Sequence, residues 1–346
     1  MKTKAAVLVQ TGHALEVLDL EIPALKPGQA LVDIAFSGVC HTQLLECGGH
    51  RGADPFLPHC LGHEASGTVI EVAADVTKCR AGDKVILSWI KGSGADVPGT
   101  AYTCNGQTVN AGGLTTFMEQ TIVSENRITV IGEALPLETA WLVGCAGATG
   151  TGAIWNAAQV KEGDTVGVFG TGGVGLCAVA AARHSTAATV LAVDRHPQRL
   201  KLASELGADL VIDATCEDVA ERIKEIVPTG LDHAVEASGV PSVMAQALAC
   251  VRPRGGQAVV IGNARYGELL EIDPKELNLG KRLLGTWGGD CEPDRDFPLI
   301  ARSMRSGTLP IDRLAGGEYG LLDINSALAD LANGQVHRPV IKMENS

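Results

Sequence analysis

Three residues in separate parts of the sequence are of the types that bind metal ions. Cys40 lies in GVCHTQLLECGG, His63 in LGHEASG and Cys145 in LVGCAGATG. Zinc in catalytic sites takes three protein ligands drawn from cysteine, histidine and carboxylate, and it keeps a fourth position open for water or substrate. The three residues could supply such a set if the fold gathers them. Taken singly, a buried cysteine is more often part of a core, and a lone histidine is usually only hydrogen bonded.

A glycine-rich segment, GVFGTGGVGLCAVAAA, has the spacing of a dinucleotide-binding loop. The glycines that fit the pattern G-x-G-x-x-G are Gly170, Gly172 and Gly175. The strand-like run TVGVF precedes them, a helical run follows, and Asp194 ends the next strand-like run nineteen residues after Gly175. In such loops the glycines permit a tight turn, the approach of a pyrophosphate and close packing of helix on strand.

Asp194 predicts which dinucleotide this loop binds. A carboxylate at this position accepts hydrogen bonds from the adenosine ribose and repels a 2′-phosphate, which favours NAD over NADP. Asp194 could instead cap a helix or lie on the surface, and Arg195 and Arg199 could approach a 2′-phosphate. We expect NAD, with Arg199 close to the cofactor.

Two hydrophobic patterns define the elements that must position these residues. Residues 1–146 contain short alternating apolar runs such as QALVDIAFSG, which indicate an antiparallel β domain. Residues 147–286 alternate apolar runs such as TVGVF and QAVVIG with helical stretches, which indicates a parallel, doubly wound sheet. Residues 287–346 return to a pattern punctuated by Pro and Gly. We expect an α/β protein in which 1–146 and 287–346 form one domain and 147–286 form a second.

Composition and charge disfavour several classes of partner. The 346 residues carry a formal net charge of −12, which disfavours binding to nucleic acid or to anionic membrane surfaces. No stretch approaches the roughly 20 apolar residues of a membrane span. The N-terminal MKTKAAVLVQ lacks the apolar segment of a signal peptide, and the ten cysteines are irregularly spaced. We expect reduced thiols and a cytoplasmic protein.

The motifs resemble, in order and wording, those of the zinc-dependent alcohol dehydrogenases of the medium-chain dehydrogenase/reductase superfamily. The resemblance rests on GVCHT, LGHEASGTVIEVAADVTKCRAGDKVI, LVGCAGATGTGAIWNAA and GVFGTGGVG, and it extends through nearly the whole chain. It implies a GroES-like, β-rich catalytic domain into which a Rossmann NAD-binding domain is inserted, with the active site between the two. It also implies a homodimer or homotetramer.

The resemblance assigns roles to individual residues. It makes Cys40, His63 and Cys145 the ligands of one catalytic zinc, with Glu64 as an occasional alternate ligand. It makes the Thr42 hydroxyl the group that binds the substrate oxygen. The residues that it places against the cofactor are His41 and Arg338 at the pyrophosphate, and Thr149 and Val174 at the nicotinamide.

Two departures from the family pattern concern the metal content and the proton path. Most members carry a lobe in which four closely spaced cysteines bind a structural zinc, whereas this chain has Cys104 alone in that region. One cysteine cannot build a tetrahedral site, so we expect a single zinc per chain. Leu45 stands where many relatives have a histidine that passes the alcohol proton to solvent. The proton must therefore leave through Thr42, the ribose hydroxyls and water, or through another group such as His41.

A third departure is Gln43, where the family usually has an aspartate behind the zinc-binding histidine. We expect the carbonyl of Gln43 to accept the imidazole N–H of His63 and thereby to fix the ring. The loss of one negative charge should make the metal more electrophilic. Glu46 could restore that charge if it turns inward, although a solvated surface position is the more common one for a glutamate.

The sequence predicts an enzyme that transfers hydride between an alcohol and NAD, with an aldehyde or ketone as product and zinc as Lewis acid. Trp89 lies where the family lines its substrate pocket, and its bulk indicates a narrow site. One alternative is a polyol or sugar dehydrogenase of the same superfamily, although those enzymes usually lack a cysteine at the position of Cys145. Another alternative is a nucleotide-binding protein without catalysis.

Overall fold

The computed structural model describes residues Met1–Glu344, and the chain forms two compact units. The first unit comprises Met1–Cys145, Glu292–Arg305 and the chain from Asp312 onward. The second comprises Ala146–Cys291 and Ser306–Ile311. The first boundary differs by one residue from the predicted one. At the second, the chain leaves the second unit five residues later than predicted and re-enters it for one short segment.

The strands and the α-helices are numbered separately, each in chain order. The strands are β1 (Lys2–Leu8), β2 (Glu16–Glu21), β3 (Gln29–Gly38), β4 (His59–Cys60), β5 (Glu64–Val72), β6 (Lys84–Ser88), β7 (Ala101–Cys104), β8 (Gln107–Asn110), β9 (Gln120–Ser124), β10 (Ile128–Val130), β11 (Thr165–Phe169), β12 (Thr189–Asp194), β13 (Leu210–Asp213), β14 (His233–Glu236), β15 (Gln257–Val260), β16 (Arg282–Gly285), β17 (Ala315–Gly320) and β18 (Arg338–Lys342). The α-helices are α1 (His41–Cys47), α2 (Leu137–Ala140), α3 (Ala146–Gly152), α4 (Gly173–His184), α5 (Pro197–Glu205), α6 (Val219–Ile226), α7 (Pro241–Cys250), α8 (Pro274–Asn278), α9 (Pro293–Arg305) and α10 (Ile324–Ala332).

The first unit is built mainly from antiparallel strands, as the alternating apolar runs predict. Strands β1, β2, β7, β8 and β4 close a barrel, and a second sheet has the order β10-β6-β5-β3-β18-β17, with β9 paired to β3. The long strand β3 lies at the centre because most of its side chains are buried and it pairs with β5, β9 and β18. The prediction of a β-rich domain is confirmed.

The second unit contains a six-stranded sheet in the order β13-β12-β11-β14-β15-β16, and every pairing in it is parallel. The central strands β11, β12 and β14 are almost wholly buried, as expected when helices cover both faces of a parallel sheet. Helix α4 packs against β11 and β12 through a run of buried small side chains. The predicted doubly wound sheet is confirmed.

The lobe that carries Cys104 is a β-hairpin anchored by a buried tyrosine. Strands β7 and β8 pair through a tight turn, and β7 also pairs with β2. The Tyr102 side chain is fully buried, and its hydroxyl accepts the backbone N–H of Ile122 at 2.8 Å. Burial raises the pKa of Tyr102 to about 12, so the hydroxyl stays neutral. The hairpin therefore forms part of the barrel wall through its pairings with β2 and β4, and Tyr102 anchors it in the core.

A buried carboxylate, Glu125, connects the loops beside this lobe. Its Oε1 accepts the backbone N–H groups of Thr77 and Lys78 (2.7 Å for Lys78) and the Thr77 hydroxyl at 3.0 Å. Its Oε2 accepts the backbone N–H of Ala95 at 2.8 Å. Glu125 thus joins the segment after β5 to the segment that leads to the hairpin.

None of the helices within Met1–Glu344 combines the length and apolarity that crossing a bilayer requires.

Candidate metal centre and nucleotide-binding loop

The fold brings Cys40, His63 and Cys145 together in the first unit. One ligand atom from each lies within 4.8 Å of the others. Cys40 follows β3 and begins α1, while His63 immediately precedes β5. Because β3 and β5 are antiparallel neighbours, the end of one lies beside the start of the other. Among the described residues this is the one cluster of three or more cysteine, histidine or acidic side chains that could hold a metal ion.

Cys145 reaches this cluster through a short 3-10 helix, Trp141–Gly144, which is wholly buried. The Ser88 hydroxyl at the end of β6 donates to the carbonyl of Gly144 at 2.6 Å, and it also accepts the N–H of Ile90 at 3.0 Å. Ser88 is the cross-strand partner of Glu64, the residue that follows His63. The Ser88 hydroxyl therefore fixes the backbone immediately before Cys145 relative to β5, the strand that His63 directly precedes.

The chemistry of the three side chains fits a zinc ion. His63 Nε2 is buried, and no geometric hydrogen bond to another described residue engages it, so this ring nitrogen is available to bind a metal. Hydrogen bonding with Cys145 lowers the pKa of the Cys40 thiol well below its usual range, against the effect of burial. His63 and the charge of Arg338 lower it further. A thiolate, a second cysteine and an imidazole are ligands that zinc prefers in proteins.

Gln43 lies behind His63, but its amide is oriented differently from the sequence-based expectation. Its nitrogen Nε2 is 2.6 Å from His63 Nδ1, and its oxygen Oε1 accepts the backbone N–H of Cys40 at 2.8 Å. Gln43 is the third residue of α1, where a glutamine often reaches back to the N–H of the residue that begins the helix. The capping bond takes the carbonyl that we expected to accept the imidazole N–H.

Glu64 and Arg338 form a buried ion pair beside the metal cluster. Both side chains are almost completely excluded from solvent. The register of β3 with β5 and β18 brings the two together, because Gly38 lies opposite Val340 and Ser37 opposite Ala65. The Arg338 guanidinium also lies over the ring of Trp141, 5.6 Å from its centroid. The predicted zinc-binding role of Glu64 and the predicted pyrophosphate contact of Arg338 remain predictions, since in this conformation each group is paired with the other.

Helix α1 carries the remaining candidates of the first unit. Thr42 is half-buried, and its hydroxyl lies 3.8 Å from Cys40 Sγ. His41 is exposed, and Leu45 is buried, so its side chain packs in the interior. Glu46 is half-buried and pairs with Arg51 at 3.6 Å. Burial raises the pKa of Glu46, although the positive charges of neighbouring groups oppose the shift.

Trp89 lies next to the metal ligands through its backbone. Its N–H donates to the carbonyl of His63 at 3.1 Å, and its own carbonyl accepts a hydrogen bond from Arg127. Ser88 and Arg127, which were not predicted from the sequence, hold the backbone on either side of this tryptophan. A serine at the end of a predicted strand next to Trp89 was the available signal for Ser88.

The glycine-rich loop of the second unit has the expected geometry. Gly170 has a φ of +90°, a conformation that favours glycine. A side chain at Gly175 would overlap the carbonyl of Gly170, so this glycine allows α4 to pack on the end of β11. A Cβ at Gly172 would meet no atom within 4 Å, which leaves its backbone open to a ligand. These features fit a dinucleotide pyrophosphate at the start of α4.

Asp194 is buried, and its carboxylate is used within the protein. Oδ2 accepts the N–H and hydroxyl of Thr171 at 2.6 and 3.0 Å, and Oδ1 accepts the N–H groups of Arg195 and His196 at 2.8 and 3.0 Å. A carboxylate offers about four acceptor positions, so protein donors engage all of them. Asp194 therefore connects the glycine loop to the segment that begins α5, which is close to the helix-capping alternative given for it above. A ribose hydroxyl would have to share these oxygens.

The other predicted cofactor contacts lie on helices of the second unit. Thr149 is in α3, Val174 is in the first turn of α4, and Arg199 is in α5. All three are half-buried, while Arg195 is exposed. Their contacts with a cofactor remain predictions.

Comparison with known proteins defines the class. Residues 26–133 match the family described as "Alcohol dehydrogenase GroES-like domain", and residues 173–305 match "Zinc-binding dehydrogenase". An S-(hydroxymethyl)glutathione dehydrogenase from Synechocystis is 33% identical over 99% of this chain and 100% of that protein. A solved zinc-binding-domain alcohol dehydrogenase from Burkholderia ambifaria shares 31% identity with a TM-score of 0.93, and each chain is covered completely. The solved benzyl alcohol dehydrogenase of Acinetobacter calcoaceticus shares 30% identity and a TM-score of 0.91 over 99% of both chains.

The fold, the metal cluster and these relatives together define a zinc-binding oxidoreductase of alcohols and aldehydes. The chain belongs to the zinc-dependent alcohol dehydrogenases of the medium-chain dehydrogenase/reductase superfamily. The family and the function predicted from the sequence motifs are confirmed at this level.

Proposed function

We propose that this protein is an NAD-linked alcohol dehydrogenase that interconverts an uncharged alcohol with an apolar body and its aldehyde. The observation that carries the proposal is the convergence of Cys40, His63 and Cys145, whose ligand atoms all lie within 4.8 Å of one another, with Nε2 of His63 buried. Zinc, when bound by these residues, supplies a Lewis acid that makes an alcohol hydroxyl more acidic. Oxidation then removes a hydride, which passes to the nicotinamide ring, and a proton.

The chain's own residues account for the proton. The Thr42 hydroxyl lies beside Cys40 Sγ, where it can accept a hydrogen bond from the hydroxyl of an alcohol held at the cluster. Leu45 cannot carry a proton, and its burial keeps that side of α1 dry. Thr42 Oγ1 is therefore the first proton acceptor in the proposal, and it passes the proton toward solvent at the exposed start of α1.

Preference for NAD is supported by the charge of Asp194. Its buried carboxylate lies at the end of β12, directly beside the glycine loop. A 2′-phosphate brought to this position would meet the negative charge of the carboxylate, because the groups that donate to Asp194 are backbone N–H groups and a hydroxyl, all of them neutral. Discrimination between NAD and NADP therefore arises from repulsion between the 2′-phosphate and the Asp194 carboxylate. It does not require that the ribose form a hydrogen bond with this carboxylate.

Preference for an uncharged substrate is supported by the state of the arginines around the metal cluster. Arg338 is paired with Glu64, Arg51 with Glu46, and Arg127 binds the carbonyl of Trp89. A glutathione adduct carries carboxylates that require cationic partners, and the two less exposed guanidinium groups, those of Arg338 and Arg127, already have acceptors. The Trp89 side chain and the similarity to a benzyl alcohol dehydrogenase favour an apolar or aromatic alcohol.

Self-association is supported by the edge of the parallel sheet. Strand β16 is the last strand of the sheet, so one of its edges is not paired within the second unit. The segment before it exposes large apolar side chains, with Tyr266 at 80% and Leu269 at 81% exposure. Pairing of two β16 strands would continue the sheet, and we propose a homodimer, alone or within a tetramer.

All ten cysteines lie within the described residues and are free thiols, which supports a reducing location such as the cytoplasm.

The proposal is tested with a substrate panel and both cofactors. The zinc-loaded protein is assayed with benzyl alcohol, a linear primary alcohol, a polyol and the adduct of formaldehyde with glutathione. We expect the highest kcat/KM for benzyl alcohol with NAD. Preference for the glutathione adduct or for a polyol would refute the substrate assignment, and preference for NADP would refute the role of Asp194. Inactivity toward every alcohol would refute the proposed reaction.

A further inference from the structure

A buried glutamate at the end of β14 has only one of its two carboxylate oxygens hydrogen bonded. Glu236 is fully buried, and its Oε1 accepts the backbone N–H groups of Ser238 and Gly239 at 2.7 and 2.9 Å. The same oxygen accepts the Ser238 hydroxyl at 2.5 Å. Oε2 is also buried and has no hydrogen-bond partner among the described residues. Because a half-satisfied buried carboxylate costs folding free energy, its presence calls for a function.

Glu236 lies at the point of the parallel sheet where nucleotides bind. From β11 the sheet continues through β12 and β13 in one direction and through β14, β15 and β16 in the other. In sheets of this kind a ligand binds outside the carboxyl ends of the strands, where the strand order reverses. Phe169, the last residue of β11, is paired with Glu236, the last residue of β14. The Glu236 carboxylate therefore lies beside the start of the glycine loop.

The turn that Glu236 holds, residues 237–239, packs directly against the glycine loop. The N–H of Ala237 donates to the carbonyl of Phe169 at 2.8 Å. A Cβ at Gly170 would lie 2.8 Å from the backbone nitrogen of Ser238, so the two backbones are in contact. The position of the loop and the position of the turn therefore depend on each other, and the Glu236 carboxylate fixes the turn.

Glu236 also connects the turn to the end of the next strand, β15. Its carbonyl accepts the N–H groups of Ile261 and Gly262 at 2.9 and 3.1 Å. A Cβ at Gly262 would lie 2.1 Å from the nitrogen of Gly239, and a Cβ at Gly239 would lie 2.4 Å from the carbonyl oxygen of Asn263. The turns 237–239 and 261–263 thus pack backbone against backbone. Glu236 is the residue that joins the ends of β11, β14 and β15 into one surface.

This surface lies on the opposite side of β11 from Asp194. Asp194 ends β12, where the adenosine half of a dinucleotide is expected, and the pyrophosphate is expected at the start of α4. The nicotinamide half of an extended dinucleotide must then cross the ends of β14 and β15. We propose that Glu236 is a positioning residue that holds the turns 237–239 and 261–263 in place for the nicotinamide half of NAD. Turns that are already ordered lower the entropy cost of binding.

The inference rests on the NAD binding of the proposed function, and it adds the residue that shapes this half of the site. Its test is the dissociation constant of NADH, measured by nicotinamide fluorescence for the native protein and its variants. Glu236→Leu removes every acceptor of the side chain, and we expect NADH to bind about 10 to 100-fold more weakly, as for the loss of a charge-assisted hydrogen bond. Glu236→Gln keeps an acceptor oxygen and should stay within about fivefold of native.

Asp232→Asn is the matched control, because Asp232 precedes the same strand at its opposite end. Its carboxylate accepts the N–H and hydroxyl of Thr165 and the guanidinium of Arg252. We expect Asp232→Asn to lower the Tm but to leave the dissociation constant of NADH within about threefold of native. In Glu236→Leu the KM for NAD should rise with the dissociation constant, whereas a loss of folded protein alone would lower kcat and leave KM unchanged.

Three results would overturn the inference: native affinity for NADH in Glu236→Leu, an equal loss in Glu236→Gln and Glu236→Leu, or an equal loss in Asp232→Asn. If Glu236→Leu does not fold, Gly239→Ala takes its place. A Cβ at Gly239 would displace Asn263 and disturb the same turns without altering the carboxylate, so native affinity in this variant would also overturn the inference. Failure of the native protein to bind NADH would instead refute the cofactor assignment of the proposed function, and the first titration shows it.

Discussion

Replacement of Glu125 by glutamine tests how the lobe that carries Cys104 is held in place. The structure predicts that the amide oxygen of the variant keeps the three donors at the Oε1 position, namely the Thr77 N–H, the Thr77 hydroxyl and the Lys78 N–H. The NH₂ group then faces the N–H of Ala95, which donates to Oε2 in the native protein. Glu125→Gln therefore loses one charge-assisted hydrogen bond and leaves a buried donor against another donor.

The size of the effect follows from this count. The lost hydrogen bond and the donor that it leaves unsatisfied are the same contact, and loss of one hydrogen bond to a charged group costs about 1.5–3 kcal/mol. We expect Glu125→Gln to lower the free energy of unfolding of the first unit by about 2–3 kcal/mol. For domains of 150–250 residues, this corresponds to a decrease in Tm of about 4–12 °C.

The effect should depend on pH with a defined sign. Burial raises the pKa of Glu125, but the N–H donors of Ala95, Thr77 and Lys78 outweigh it, and the pKa lies below its ordinary value. A carboxyl group with a lowered folded-state pKa contributes stability above its unfolded pKa of about 4.3 and loses it as the pH falls through the folded value. The Tm difference between native and variant proteins should be constant from pH 6 to 8 and should shrink below about pH 4.3.

Differential scanning calorimetry at pH 7 and pH 4 provides the assay, and Glu133→Gln provides the control. Glu133 is 88% exposed and pairs with Lys84 only at the surface, so its replacement should change stability by less than about 0.5 kcal/mol. If Glu125→Gln and Glu133→Gln melt within 1 °C of each other at pH 7, Glu125 does not brace the lobe and the reasoning is wrong.

Three further predictions concern the reaction, the cofactor and the assembly. Thr42→Val should lower kcat for alcohol oxidation by about 10² to 10⁴-fold, whereas Thr42→Ser, which keeps the hydroxyl, should stay within tenfold of native. An equal loss of kcat in the two variants would exclude a role for the hydroxyl. Asp194→Asn should raise kcat/KM with NADP relative to NAD, while Asp194→Gly, which also releases Thr171, should weaken both; an unchanged NADP/NAD ratio in Asp194→Asn would contradict charge repulsion. Leu269→Lys should shift the protein toward monomer in light scattering at micromolar concentration, and a native protein that is already monomeric would rule out the proposed interface.

The sequence was sufficient where residue type and order determine structure. The switch from alternating runs to short buried runs at residue 147 predicted both sheet types, because a parallel sheet covered on both faces has no polar side. Family motifs predicted the grouping of Cys40, His63 and Cys145. The glycine spacing predicted the loop at Gly170, since a positive φ and close helix packing restrict those positions to glycine.

The sequence was insufficient where one side chain has several available partners. Gln43 was expected to serve His63 with its oxygen, yet the N–H of Cys40 takes that oxygen. Arg338 and Glu64 were assigned separate partners, but the register of β3, β5 and β18 pairs them with each other. Asp194 binds its own loop with both oxygens. Such choices depend on three-dimensional distances that spacing along the chain does not contain.

The central claim is that alcohol oxidation depends on one zinc ion held by Cys40, His63 and Cys145. The most direct test removes all metal with a chelator, adds zinc in measured steps, and records metal content and benzyl alcohol oxidation at each step. We predict no activity without metal, then a linear rise in activity that saturates at one zinc per chain, and no tightly retained zinc in Cys145→Ala. Activity in the metal-free protein, or saturation only at two zinc ions per chain, would contradict the claim.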